Sequence, residues 1–89
     1  MKNDQVCMEK ILNKIAEEIG NDWKKLARVL DVEETHIENI DSQYSQLYEK
    51  AYQVLQRWHK KQGYSGGEEK LIKALWEIER NDLAVKIES

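Results

Sequence analysis

The chain has 89 residues, 40% hydrophobic and 35% charged, with no proline, one cysteine and a formal net charge of −3. At this size a chain buries only about 60 to 65% of its unfolded surface, which leaves room for one core, so residues 1–89 read as a single domain. A lone cysteine excludes a disulfide framework, apolar runs of at most three residues exclude a membrane span, and the acidic balance disfavours nucleic acid and anionic lipid as general partners.

Apolar residues take helical spacing from the start. Met8, Ile11, Leu12, Ile15 and Ile19 form one stripe of an amphipathic helix, which Gly20 ends. Asn21 offers a capping oxygen to a second helix with Trp23, Leu26, Ala27 and Leu30 on its apolar face, and Asp31 breaks the pattern. A short third helix over about residues 33–41 turns Ile37 and Ile40 inward, with Val32 closing the turn before it and an acidic opposite face.

Ser45 is the expected cap of a fourth and longest helix, running to about Lys61, with Leu47, Ala51, Val54, Leu55 and Trp58 as its buried stripe. Gly63 to Gly67 is a glycine-rich connection, and Ser65 with Glu68 has the spacing of a capping box. A fifth helix faces Leu71, Ile72, Leu75 and Ile78 to the core. Asn81 and Asp82 mark a break before a short sixth carrying Leu83, Ala84 and Ile87. No period-two stretch suggests a strand, so the expected class is all-α with six helices.

From Trp23 onward the order of residues resembles the death-domain family of the death-fold superfamily, its adapters most of all. The run D-W-K-K-L-A-R-V-L-D-V-E-E-T-H-I-E-N-I over residues 22–40 carries much of the likeness. In that family a tryptophan opens the second helix, L-A-R-x-L completes it, and two isoleucines three apart anchor the third. Trp23, Leu26, Ala27, Arg28, Leu30, Ile37 and Ile40 take those positions here. Tyr44, the segment from Leu55 to Trp58, and the runs Leu71 to Leu75 and Asp82 to Val85 extend the likeness over about residues 11–88. Glu33 stands where the family often has a Ser or Thr cap, and Asp31 where glycine is frequent.

The resemblance implies a six-helix antiparallel bundle without enzymatic activity. It implies docking onto other death domains, as homo- or hetero-oligomer, in an adapter or scaffold of apoptotic or innate-immune signalling. The expected compartment is the cytoplasm. No cofactor, no small-molecule substrate, no nucleic acid and no membrane insertion is expected.

Charge is sorted by segment. Helix two carries Lys24, Lys25 and Arg28 against Asp22, a net of +2 over residues 21–30. Residues 31–45 carry Asp31, Glu33, Glu34, Glu38 and Asp41 without a base, a net of −5. Residues 46–62 carry Lys50, Arg57, Lys60 and Lys61 against Glu49, a net of +3. Such sorting suits contacts in which an acidic face meets a basic face of the next copy. The expected contact residues are Lys24, Lys25, Arg28, Glu33, Glu34, Glu38, Asp41, Arg57, Lys60 and Lys61. Any one of these charges, taken singly, reads first as a solvated surface group, whereas the acidic third helix as a whole reads as an interaction face.

The rival reading is a helix-turn-helix, since Leu26 to Val32 followed by Ile37 and Ile40 also fits its buried positions. The second helix of such a motif would present Glu33, Glu34, Glu38 and Asp41 to phosphates, and repulsion argues against it. Cys7, His36 and His59 are too scattered for a nucleophile or a metal site, and both histidines are expected at the surface. Gly63 to Gly67 lacks the G-K-[ST] ending of a phosphate loop. Tyr44, Tyr48 and Tyr52 read as rings flanking the core with hydroxyls reaching water. Trp23 and Trp58 read as core, and Trp76 as a partly exposed outside candidate for contact.

Overall fold

The computed structural model describes residues 4–63 and 66–88, with backbone only for residues 4–7, so the expectations placed on the Cys7 side chain and on a Ser65 cap lie outside the described residues. Helix α1 (Asp4–Glu18) lays Met8, Leu12, Ile15 and Ala16 into the core, with Ile11 packed at its margin. Ile19 is buried just past the helix end. Gly20, at φ +58°, then opens a 3-10 turn over Gly20–Asp22 that runs straight into α2 (Trp23–Val29).

In that turn the Asp22 amide donates to the Ile19 carbonyl at 3.2 Å and the Trp23 amide to that of Gly20. Backbone acceptors therefore serve amides that a side-chain cap would otherwise satisfy, and no side chain caps α2, contrary to the role expected of Asn21. Trp23, Leu26 and Ala27 are buried along α2 and Leu30 just after it, as the spacing predicts.

Asp31 follows at φ +65°. Its amide donates to the Arg28 carbonyl at 3.0 Å and the Val32 amide to that of Ala27 at 2.9 Å, the paired bonds of a Schellman ending. The left-handed residue there is an aspartate rather than the glycine that such endings favour.

Helix α3 (Glu34–Gln43) turns Ile37 and Ile40 inward and starts from an extended Glu33 that makes no side-chain cap bond. Helix α4 (Leu47–Gln62) is the hub against which α1, α2 and α3 all pack. Gln46, not Ser45, occupies its N-cap, without a side-chain bond. Leu47, expected in the core, is 39% exposed: the buried stripe begins a turn later at Ala51, while Tyr48 in the first turn packs on the margin of the core.

His59, expected at the surface, is buried. It lies one turn after Leu55 on the inward face, its ring 6.4 Å from that of Trp58. Helix α5 (Gly67–Glu77) buries Leu71, Ala74 and Leu75, while Ile72 and Ile78 pack on the margin of the core. It ends in a second Schellman arrangement, with Glu79 at φ +63°, its amide on the Trp76 carbonyl and the Arg80 amide on that of Leu75. Helix α6 (Asn81–Glu88) buries Leu83 and Ala84 and packs on α5 and α1. The six expected helices and the all-α class are thus present.

Candidate functional site

Packing α3 against α2 and α4 places the acids of one helix beside the bases of the other two. The Lys24 ammonium lies 2.9 Å from Asp41, the Lys50 ammonium 2.6 Å from the other oxygen of the same carboxylate, and Arg28 Nε 2.5 Å from Glu34. Arg28 holds the Glu34 carboxyl below the usual range, chiefly by its hydrogen bond. Lys50 and then Lys24 do the same for Asp41. Much of the negative charge on α3 is therefore answered inside the chain.

The other expected contact residues are less engaged. Lys25 reaches Asp22 at 3.9 Å, and Glu33 faces the His36 ring at 3.5 Å, a pair that counts only when the ring is protonated. Glu38, Lys60 and Lys61 are exposed and have no ion-pair partner among the described residues. Arg57 Nη2 lies 2.6 Å from His36 Nε2, a contact in which the ring nitrogen accepts. Cations thus gather at the C-terminal end of α4, at the edge of a groove between α3 and α4.

Trp23 and Trp58 are in the core, and Trp76 is 43% exposed on α5, as the sequence suggests. Tyr44, Tyr48 and Tyr52 flank the core as expected, and two of their hydroxyls find protein partners as well. Tyr48 donates to the Asn13 side chain, tying α4 to α1, and the Tyr52 hydroxyl accepts from Gln56 at 2.9 Å. Partial burial pushes the Tyr48 phenol up. Arg80, which the sequence gives no reason to single out, is held by Asp22 and Asp82, both at 3.2 Å. Among the described residues no His, Cys, Asp or Glu group could hold a metal ion, and no helix is long and apolar enough to cross a membrane.

Residues 9–89 match the family model described as "Death domain". The receptor-interacting serine/threonine-protein kinase 1 of Homo sapiens is 40% identical over 84 residues, which are 91% of this chain and 12% of that protein. The tumor necrosis factor receptor type 1-associated DEATH domain protein of Danio rerio is 33% identical over 78 residues, 80% of this chain and 27% of that protein. The chain thus spans a minor part of the length of either relative.

Proposed function

The chain belongs to the death-domain family, and from that premise we propose that it acts as an adapter or scaffold in apoptotic or innate-immune signalling, docking onto other death domains through charge-complementary faces. The family is one of non-catalytic interaction modules. The catalytic activity in the kinase's name is that protein's own, and the likeness to it covers 12% of its length.

The observation that carries the charge part of this reading is the division between internally paired and outward charges. Lys24, Arg28, Glu34 and Asp41 are engaged with one another or with Lys50, linking α3 to α2 and α4. Glu33 just before α3, Glu38 on it, and Lys25, Arg57, Lys60 and Lys61 elsewhere are exposed and open to a second molecule. An acidic α3 face then meets the basic end of α4 on the next copy or on another death domain.

Reversing two charges together is the decisive test, since single exposed pairs contribute only about 0.2 to 1 kcal/mol. Glu33→Lys with Glu38→Lys should leave helicity and melting unchanged and abolish association in sedimentation. Wild-type association should weaken as salt rises from about 0.05 to 0.5 M. Arg57→Glu with Lys60→Glu should do the same, and mixing the two variants should partly restore binding. Association indifferent to salt and to both reversals would move the interface elsewhere, with the surface around Trp76 next in line.

A further inference from the structure

The groove between α3 and α4 encloses about 690 Å³, inside the range of roughly 300 to 1,000 Å³ usual for ligand sites. Although the chain carries a net charge of −3, no Asp or Glu lines the groove among the described residues. Arg57, Lys60 and Lys61 stand on its α4 wall at i, i+3 and i+4, so all three point to one side of the helix. Asn39 and Gln43 of α3 and Gln53 and Gln56 of α4 line it as well, and Gln56 also donates to the Tyr52 hydroxyl. Each primary amide offers both a donor and an acceptor.

That combination has a definite match. Cations at one end ask for carboxylates, and amides on both walls ask for a ligand with alternating N–H and C=O groups, which an extended peptide backbone supplies. A nucleic-acid strand fits less well, because three cations gathered at one end of the groove do not track a continuous phosphate backbone. A lipid surface fits less well because the groove lining is polar apart from Ile40 and Tyr44. We infer that this groove is a binding site for a short, extended, acidic peptide segment, whose carboxylates sit on Arg57, Lys60 and Lys61 and whose backbone runs along the amide walls. The contact of Arg57 with the His36 ring at 2.6 Å posts the guanidinium at the groove edge before any ligand arrives. The site shares Arg57, Lys60 and Lys61 with the assembly proposed above, so a linear acidic segment and a folded acidic face compete for them, but Asn39 and the amide lining belong to the groove alone.

The test is fluorescence polarisation of fluorescein-labelled hexaglutamate, with hexaglutamine as control, on the full chain at about 0.05 M salt. Hexaglutamate should bind saturably and hexaglutamine should not. Arg57→Gln, Lys60→Gln and Lys61→Gln together should weaken binding by about tenfold or more, three partial charge contacts compounding. Asn39→Trp, which fills the groove without changing charge, should weaken it to a similar degree. Lys10→Gln, Lys14→Gln and Lys73→Gln together make the same charge change away from the groove and should leave affinity within about twofold. Because association would cover the same cations, the titration is run at a protein concentration at which the chain sediments as a monomer, so that peptide binding and assembly succeed or fail separately. Equal binding of hexaglutamine would overturn the assignment, as would equal losses from the two triple substitutions or an Asn39→Trp variant that binds as wild type.

Discussion

Arg80 donates from Nη1 to the backbone carbonyl of Ile19 at 2.9 Å, across 61 positions of sequence. Its Nη2 donates to the Glu18 carbonyl at 3.0 Å, so one guanidinium serves the carbonyl end of α1 while pairing with Asp22 and Asp82. A planar fork suits this task, because its donors point in several fixed directions at once. The side chain joins the end of α1, the 3-10 turn and the start of α6, beside the pairing of Lys86 with Glu18 at 2.6 Å.

Arg80→Met should therefore lower stability by about 1.5 to 3 kcal/mol, the usual worth of hydrogen bonds from a charged group in a half-buried setting. Arg80→Lys should recover only part of this, lacking the fork. Urea unfolding is the measurement, read as a lower midpoint with unchanged slope. A variant as stable as wild type would refute the clamp.

The two left-handed residues predict gains. Asp31 and Glu79 hold φ values of +65° and +63° at Schellman endings, where a side chain carries a conformational cost that glycine avoids. Glu79→Gly should stabilise by about 0.5 to 1 kcal/mol, after the larger backbone entropy of glycine in the unfolded chain is set against the relief. Asp31→Gly should gain less, since aspartate tolerates this region better than glutamate does. Thermal melting of both single variants decides the matter, and a loss of stability in either would show that the side chain contributes more than its backbone strain.

Acid should loosen the fold through three carboxylates. Arg28 lowers Glu34, Lys50 with Lys24 lowers Asp41, and Arg80 lowers Asp82, in each case chiefly by a hydrogen bond to the charged form. A carboxyl whose folded pKa lies below its unfolded value adds stability that is present above the unfolded value and is lost as pH falls through the folded one. Melting temperature should therefore hold steady from about pH 7 to 5 and decline below about pH 4, where unperturbed carboxyls protonate. Glu34→Gln, Asp41→Asn and Asp82→Asn combined should flatten that decline while lowering the plateau. A decline of unchanged steepness in the triple variant would assign acid sensitivity to other groups.

The helices were readable wherever an apolar stripe faces the core along its whole length. Trp23, Leu26, Ala27 and Leu30 on α2, and Ile37 with Ile40 on α3, are buried as their spacing requires. Caps were not readable, because Asn21 and Ser45 are good capping residues that the chain does not use: a 3-10 turn leads into α2, and α4 starts from Gln46. His59 was hidden by its polarity, although its spacing of four from Leu55 placed it on the inward face. Segment charges were countable, but which charges touch is a matter of helix adjacency. The pairing of Lys24 with Asp41 and of Arg28 with Glu34 therefore emerges only once α2 and α3 lie side by side. Arg80 left no signal, since its partners lie at the far end of the first helix.

Asp41, held from two sides by Lys24 on α2 and Lys50 on α4, makes the electrical sign that α3 shows to solvent a shared property of three helices. Neutralising either lysine, by substitution or by acetylation, would alter the field over α3 with every α3 residue still in place. A substitution on α2 that weakens binding therefore does not by itself put α2 in the interface. In a scan of this surface, contact residues are separated from field-setting ones by double-mutant coupling to the partner: a residue that touches the partner couples to one neighbour across the interface, whereas Lys24 would couple to all of them weakly and through Asp41.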